Sequence, residues 1–432
     1  MSWTAIHETS PSDLKSIVFP QVGQDRSQGT EATGGTGFRF ILIHHSYPFI
    51  LRHDIIPAMM KENLLIIGSS ERNPDLYYAT RFAAPDPFVF VQIREKKYIL
   101  ISDLEIDRAR KQARVHAVLS TTTLAGKFRE KHKRHASLSD LVIFFLREKK
   151  VRRLTVPQDF PYLYALSLKR AGIRLDCHPG IFFKERAIKT PEEIRSVIQA
   201  LRATENAARA AISLLKKATI RKNRLFYRNT PLTSESIRKL ILAVLMEHDC
   251  AGENTIVSCG RHSVDPHHIG TGPLFANQPI LFDIFPRNNK TLYYADFSRT
   301  VVKGKASPKL KKMFAAVKGG QAIAMRMIRP GVSGRAIHNA IQSYFERLGF
   351  RTGLQAGRMQ GFFHSTGHGL GLEIHEPPRI GGGDDILKEG HLVTVEPGLY
   401  YKDAGGIRLE DLVLVTRTGC KNLTQFPKIL EI

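Results

Sequence analysis

The sequence predicts an α/β domain followed by an α+β domain. Three observations lead there. At 432 residues the chain is too long for one ordinary core and comfortable for two. Over residues 38–184, short runs rich in β-branched and aromatic residues mix with a helical run. Over residues 185–432, amphipathic helices opened by hydroxyl caps are separated and followed by strand hairpins. No short fixed period recurs, which excludes solenoids and propellers.

The elements justify this in order. Residues 1–37 end in the polar, glycine-rich "QDRSQGTEATGGTG" and read as a flexible N-terminal segment. Strand-like runs follow in "FRFILIHH" (38–45), "NLLIIGSS" (63–70), "PFVFVQI" (87–93) and "KKYILIS" (96–102). "LSDLVIFFLREKK" from Leu138 has helical periodicity, and "VRRLTVPQ" from Val151 is a further short strand. A long helix opens the second domain. There Thr190 can cap, Pro191 suits the first helical position, and Glu192 and Glu193 favour the positive helix end. The segments from Thr233 and Ser333 are two more capped amphipathic helices.

Composition narrows the function classes. No run of about 18 apolar residues offers a membrane span. The N-terminus lacks a basic segment followed by an apolar core, so no secretory signal is expected and the cytoplasm is the expected location. Four cysteines without a CxxC pair suit a reducing compartment and argue against a cysteine-based zinc site. The formal charge of +24 leaves a polyanionic partner open. The basic runs "KFREKHKRH" and "REKKVRRL" carry no aromatic interleaving, so solvated helix faces are the favoured reading over nucleic acid.

Acids inside apolar strands carry the chemistry. In "PILFDIFPRNNKTLYYADFSRTVV" two strand-like arms flank a turn, and each holds an aspartate, Asp283 and Asp296. In a hairpin with an even-length loop, an odd offset puts both carboxylates on one face. Two such charges repel and lose hydration unless a cation sits between them. Glu396 and Glu410 also lie in apolar strands, but their even offset requires a bulge or an irregular loop, which Gly405 and Gly406 can supply. In "GHGLGLEIHEPP", Leu370, Leu372 and Ile374 alternate with glycines and polar residues as in a half-buried strand. The small residues leave room for something to approach. His368 and His375 have opposite parity there and should do different jobs. The spacing fits neither HExxH nor a phosphate-binding glycine loop. Loop histidines His267 and His268 add nitrogen. Four acids with several histidines suit hard-to-borderline divalent ions.

Taken together, "RAIKTPEEI", "PHH", "FDIF", "ADFSRTV", "IRPGVSG", "HSTGHGLGLEIHE", "VEPGLY" and "GIRLED" resemble, in order and context, the pita-bread metallopeptidases: methionine aminopeptidase, aminopeptidase P and prolidase, with creatinase as a non-metal relative. "NPDLYYATRFAAPDPFVFV" is more weakly similar to the creatinase-like N-terminal domain. The resemblance implies an α/β creatinase-like N-terminal domain before an α+β pita-bread catalytic domain. It implies two divalent metal ions, Mn expected and Co, Fe or Zn able to bind, held by Asp283, Asp296, His368, Glu396 and Glu410. Asp283 would chelate one ion, Asp296 and Glu410 bridge both, and His368 and Glu396 complete the other. His267 and His375 match the histidines that flank the substrate, and His364 and Arg408 match positions near the site. A hydroxide between the ions would attack the scissile carbonyl while Glu396 shuttles the proton to the leaving amine.

The extra N-terminal domain points to a peptide substrate with proline in second position. Aminopeptidase P is slightly favoured and prolidase, which takes dipeptides, is the alternative. A member acting on another small amide, or a non-catalytic binding protein, stays open. A homodimer is expected. Two departures from the family pattern stand out: the spacing between the aspartates is two residues longer than usual, and Phe285 replaces the usual glycine of "FDIF", where it could narrow a neighbouring pocket.

Overall fold

The computed structural model describes residues 62–432. The expected flexible segment 1–37 and the strand at 38–45 lie outside the described residues. From Leu64 to His178 the chain builds a six-stranded mixed sheet in the spatial order Ala117–Ser120, Lys96–Ile101, Phe88–Ile93, Leu64–Gly68, Arg153–Pro157, Arg174–His178. The three central strands meet antiparallel and the outer ones join in parallel. Their apolar runs are continuous because both faces are covered. Leu65, Val89 and Leu100 face helices Thr121–His132 and Leu138–Glu148, while Leu64, Phe88 and Ile99 face Pro74–Thr80 and Ile106–Gln112. The basic run lies on Thr121–His132, with Leu124 and Phe128 buried and Lys127, Arg129 and Lys131 exposed, which is a solvated helix face.

The helix Pro191–Lys217 begins as its sequence requires: Thr190 Oγ1 accepts from the Glu193 amide, and the Glu193 carboxylate accepts from the Thr190 amide. It packs on Ser234–Glu247, which Thr233 caps. Pro308–Met327 is a helix that the periodicity reading passed over, because Gly319 and Gly320 interrupt its middle. The glycines permit close approach: a Cβ at Gly319 would lie 2.3 Å from Tyr344 Oη, and one at Gly320 would lie 2.9 Å from Phe345 Cζ, both on helix Gly334–Arg347.

These helices surround two curved sheets. One has the order Ile256–Cys259, Pro279–Asp283, Ser298–Val302; the other has the order Glu376–Ile380, Gly367–Gly369, Leu392–Val395, Asp411–Val415, Cys420–Asn422. A ribbon of Gly398–Tyr401 and Gly405–Arg408 extends the second ladder. No helix among the described residues is long and apolar enough to cross a membrane.

Candidate metal centre

Register explains how distant acids meet. Asp283 pairs with Ser298, and the bridge between Arg287 and Tyr294 holds the same register across the loop, so the odd offset does place Asp283 and Asp296 on one face. Asp296 stands just before its strand, where the Ile284 amide still bonds to the Phe297 carbonyl at 2.9 Å. The longer loop is a turn in which Asn288 Oδ1 accepts from the Lys290 and Thr291 amides, and Phe285 is half-buried.

The even-offset pair is solved by the loop. Leu392 faces Leu414 and Gly398 faces Arg408, which is one continuous register that sets Glu396 directly opposite Glu410. Only the odd-length turn Lys402–Ala404 is needed, closed by Gly405 at φ 103°. Pro397 interrupts the ladder beside Glu396. At that gap Gln321, from the helix that periodicity missed, donates through Nε2 to the carbonyls of Val395 (2.9 Å) and Leu409 (3.2 Å). It clamps the residues immediately before the two glutamates.

The histidine stretch differs from the expected strand. Pairing stops at Gly369, and residues 370–375 form a loop of bends, because the Glu376 carboxylate captures the amides of Leu372 (3.0 Å) and Glu373 (3.2 Å). Leu370 and Leu372 are buried as their alternation implied. Parity does not separate the histidines: the His375 ring meets His368 edge-on at 4.4 Å, and they differ instead in burial, His368 being buried and His375 exposed. Nor do the glycines leave room for a ligand. A Cβ at Gly367 would meet the Thr394 carbonyl oxygen at 2.0 Å, and one at Gly369 the Pro377 carbonyl oxygen at 2.4 Å, so neighbouring strands fill that space.

Asp296, His368 and Glu410 can each offer one ligand atom within 4.8 Å of the others. His368 Nε2 lies 3.6 Å from Asp296 Oδ2 and 3.4 Å from Glu396 Oε1. Its Nδ1 faces the Gly369 carbonyl at 3.1 Å, which assigns the proton to Nδ1 and leaves Nε2 as an electron-pair donor. Burial holds this imidazole down at about 3, so it is neutral. Asp283 differs from the rest. Its Oδ2 takes a 2.6 Å bond from Arg408 Nη2, and its Oδ1 lies 3.0 Å from the Ser298 hydroxyl, which is also 2.9 Å from Glu410 Oε2.

The remaining residues surround the acids. Arg408 also donates to Tyr400 Oη (3.0 Å) and to the Pro266 carbonyl (3.4 Å), the latter fixing the loop of exposed His267. Tyr400 Oη in turn lies 2.9 Å from His364 Nε2. His364 Nδ1 faces the Ser365 carbonyl, and burial lowers this ring to about 3. Arg379 is exposed, and its charge is among the causes that depress His368 and His375. Ser298, Gln321, Tyr400 and Arg379 were not singled out from sequence. Ser298 and Tyr400 sit inside the motifs "ADFSRTV" and "VEPGLY", while Gln321 carries no local signal at all.

The residues fit a cation. Burial, with Asp283 and Glu396 adding to it, raises Asp296 well above the carboxylate range, and burial with Asp296 and Glu396 does the same to Glu410. Burial pushes Glu396 up to about 7 although Arg408 opposes it. Glu410 Oε1 is buried without a hydrogen-bond partner. Closely set carboxylates of this kind ionise together only when positive charge joins them. Carboxylate oxygens with one neutral imidazole are a donor set for a divalent ion.

A family model described as metallopeptidase family M24 matches residues 195–417. The Xaa-Pro dipeptidase of Pyrococcus furiosus is 32% identical over 242 residues, which cover 56% of this chain and 64% of that protein. The chain thus spans less than two thirds of that relative's length. The Xaa-Pro dipeptidase of Pyrococcus horikoshii is 26% identical over 375 residues, covering 86% of this chain and 95% of that one. Among solved structures, the Xaa-Pro dipeptidase from Bacillus anthracis superposes with a TM-score of 0.72 at 25% identity, covering 86% of this chain and 95% of that one. The fold is therefore the expected one, pita-bread α+β with an α/β part before it.

Proposed function

The chain belongs to metallopeptidase family M24, and from that premise we propose that it is a metal-dependent peptidase that hydrolyses Xaa-Pro dipeptides, a prolidase. The observation that carries this is the convergence of Asp296, Glu396 and Glu410 on the Nε2 side of a neutral His368, with Asp283 on the same face. The dipeptidase alternative is preferred here to the slight lean toward aminopeptidase P, because Xaa-Pro dipeptidases from Pyrococcus horikoshii and Bacillus anthracis match over most of the chain.

Asp283, Asp296, His368, Glu396 and Glu410 would hold two divalent ions, Mn first among the candidates. Bound there, they would supply an activated water and polarise the scissile carbonyl. Asp283 would take its share through Oδ1, since Arg408 holds only Oδ2. The chain's own groups do the rest. Glu396 is placed to carry a proton to the proline nitrogen, which as a tertiary amide has no N–H and must gain a proton to leave. His375 and His267, exposed at the mouth, donate to the substrate. Arg379 beside them is the cation for a dipeptide's carboxylate, a group that a longer peptide would carry further from the scissile bond. A homodimer in the cytoplasm completes this reading.

Full-length protein dialysed against chelator and reloaded with Mn, Co or Zn tests it. Gly-Pro should be cleaved only after reloading, and faster than Arg-Pro-Pro. Preference for the tripeptide would return the assignment to an aminopeptidase. Metal uptake without cleavage of either would move it to another amide. In Arg379→Ala, KM for Gly-Pro should rise about tenfold, the loss of one exposed charge-assisted contact.

A further inference from the structure

The acids next to His375 are not among the proposed ligands, yet one of them, Glu376, is more heavily bonded than any of those ligands. Arg186 is 2% exposed and reaches three carboxylates from two distant parts of the chain. Its Nη1 donates to Asp75 Oδ1 at 2.8 Å, and its Nη2 to Glu373 Oε2 at 2.7 Å and Glu376 Oε1 at 2.6 Å. Lys189 Nζ holds the other Glu376 oxygen at 2.8 Å and also donates to the Arg186 carbonyl. Glu376 Oε1 is the atom that gathers the Leu372 and Glu373 amides. The Gly371 carbonyl accepts from the Tyr294 amide at 2.8 Å, tying the loop to the hairpin that carries Asp296. Gly371 has no room for a side chain, because a Cβ there would stand 2.8 Å from both Glu376 Oε2 and Lys189 Cε.

From this geometry we propose that Glu376, clamped by Arg186 and Lys189, is a positioning residue for His375, and that Asp75 on helix Pro74–Thr80 of the N-terminal sheet region extends the clamp to that part of the chain. This rests on the peptidase reading above, with His375 as the substrate-side donor. The loop 370–375 has no strand ladder to fix it. Besides the backbone bonds of Leu370 and Gly371, its shape rests on one buried carboxylate that holds two of its amides, and that carboxylate is held charged by two buried cations. A loop set this way can present an exposed imidazole in one orientation, and a misplacement of about 1 Å at such a group can lower the rate about 10²-fold.

The test uses full-length, metal-reloaded protein. Glu376→Gln keeps the shape but weakens both ion pairs, and Asp75→Asn loosens Arg186 from outside the loop. Both should bind metal as the parent does, lower kcat on Gly-Pro, by about 10²-fold for Glu376→Gln, and speed amide hydrogen exchange in the peptide covering residues 370–376 while that of Pro279–Asp283 stays unchanged. Combining Glu376→Gln with His375→Ala should cost no more than His375→Ala alone, because the two act through one group. Losses that multiply, or exchange at residues 370–376 that matches the parent in both variants, would overturn the proposal. If Glu376→Gln does not fold, Asp75→Asn decides by the same two measurements. If the parent cleaves no Xaa-Pro dipeptide, the peptidase reading falls, while the exchange measurement still decides whether Glu376 shapes the loop.

Discussion

Two carboxylate clusters, each with a buried heart, lie near the His368–His375 contact, and they are charged in opposite ways. In one, Asp75, Glu373 and Glu376 are matched by Arg186 and Lys189, and although burial opposes it, those cations hold the Glu376 carboxyl below its ordinary range. In the other, Asp283, Asp296, Glu396 and Glu410 share Arg408, which among the described residues is the one arginine or lysine ion-paired to them, and three of the four are raised. In the first cluster every carboxylate meets a cation, and the buried atom left without a partner, Arg186 Nε, belongs to a cation and not to an acid. The second lacks positive charge, and Glu410 Oε1 has no partner. What marks a cation site is therefore a deficit of charge rather than a concentration of acids. Glu373 and Glu376, the acids most conspicuous in the sequence, are structural, and the less conspicuous four are where a cation fits.

Substitutions can break this contrast, beginning with the largest effect. Asp296→Asn should lower kcat/KM on Gly-Pro by about 10³-fold or more, on the order of 4 kcal/mol, with loss of bound metal. Yet its melting temperature in chelator should not fall below the parent's, because burial there already disfavours the ionised acid that the amide replaces. A clear drop would mean that the cluster is balanced without a cation. Arg186→Ala should behave in the opposite way. It leaves buried Glu376 and half-buried Asp75 without their guanidinium and should destabilise by about 3–5 kcal/mol, read in urea unfolding, with or without metal.

Adding Mn to the chelated parent should stabilise it by about 2.7 kcal/mol at a concentration one hundred times Kd, seen as a rise in melting temperature. Arg186→Ala should show the same increment, since its damage lies in the other cluster, whereas Asp296→Asn should show little. The smallest effect is expected from Tyr400→Phe. It removes the hydroxyl that bridges Arg408 and His364, two hydrogen bonds at about 1 kcal/mol each, and should reduce activity a few-fold without altering metal content.

Much of this was legible along the chain. The hairpin holding Asp283 and Asp296 could be placed from parity, because side chains alternate with a period of two and an even loop preserves it. The caps at Thr190, Thr233 and Ser333 stand where a hydroxyl precedes an apolar helical repeat. Elsewhere local signals misled. Gly319 and Gly320 look like helix breakers, but their reason is the helix packed against them. Leu370 and Leu372 keep the burial of a strand while their backbone is bent by Glu376, a hydrogen-bond competition that hydrophobic alternation does not report.

Residue order, spacing and charge were enough to set the fold class, the helix starts and the set of acids and histidines that converge, because each follows from local periodicity, capping or an ordered series of motifs. Which acids remain short of positive charge was settled by folding. So were the assignment of Arg408 to Asp283, the reach of Gln321 across to Val395 and Leu409, and the buried cations that bend the loop of His375. The reason is physical: a carboxylate's worth depends on what desolvates it and what faces it, and the groups that do so here lie up to nearly two hundred residues away, as Arg186 does from Glu376.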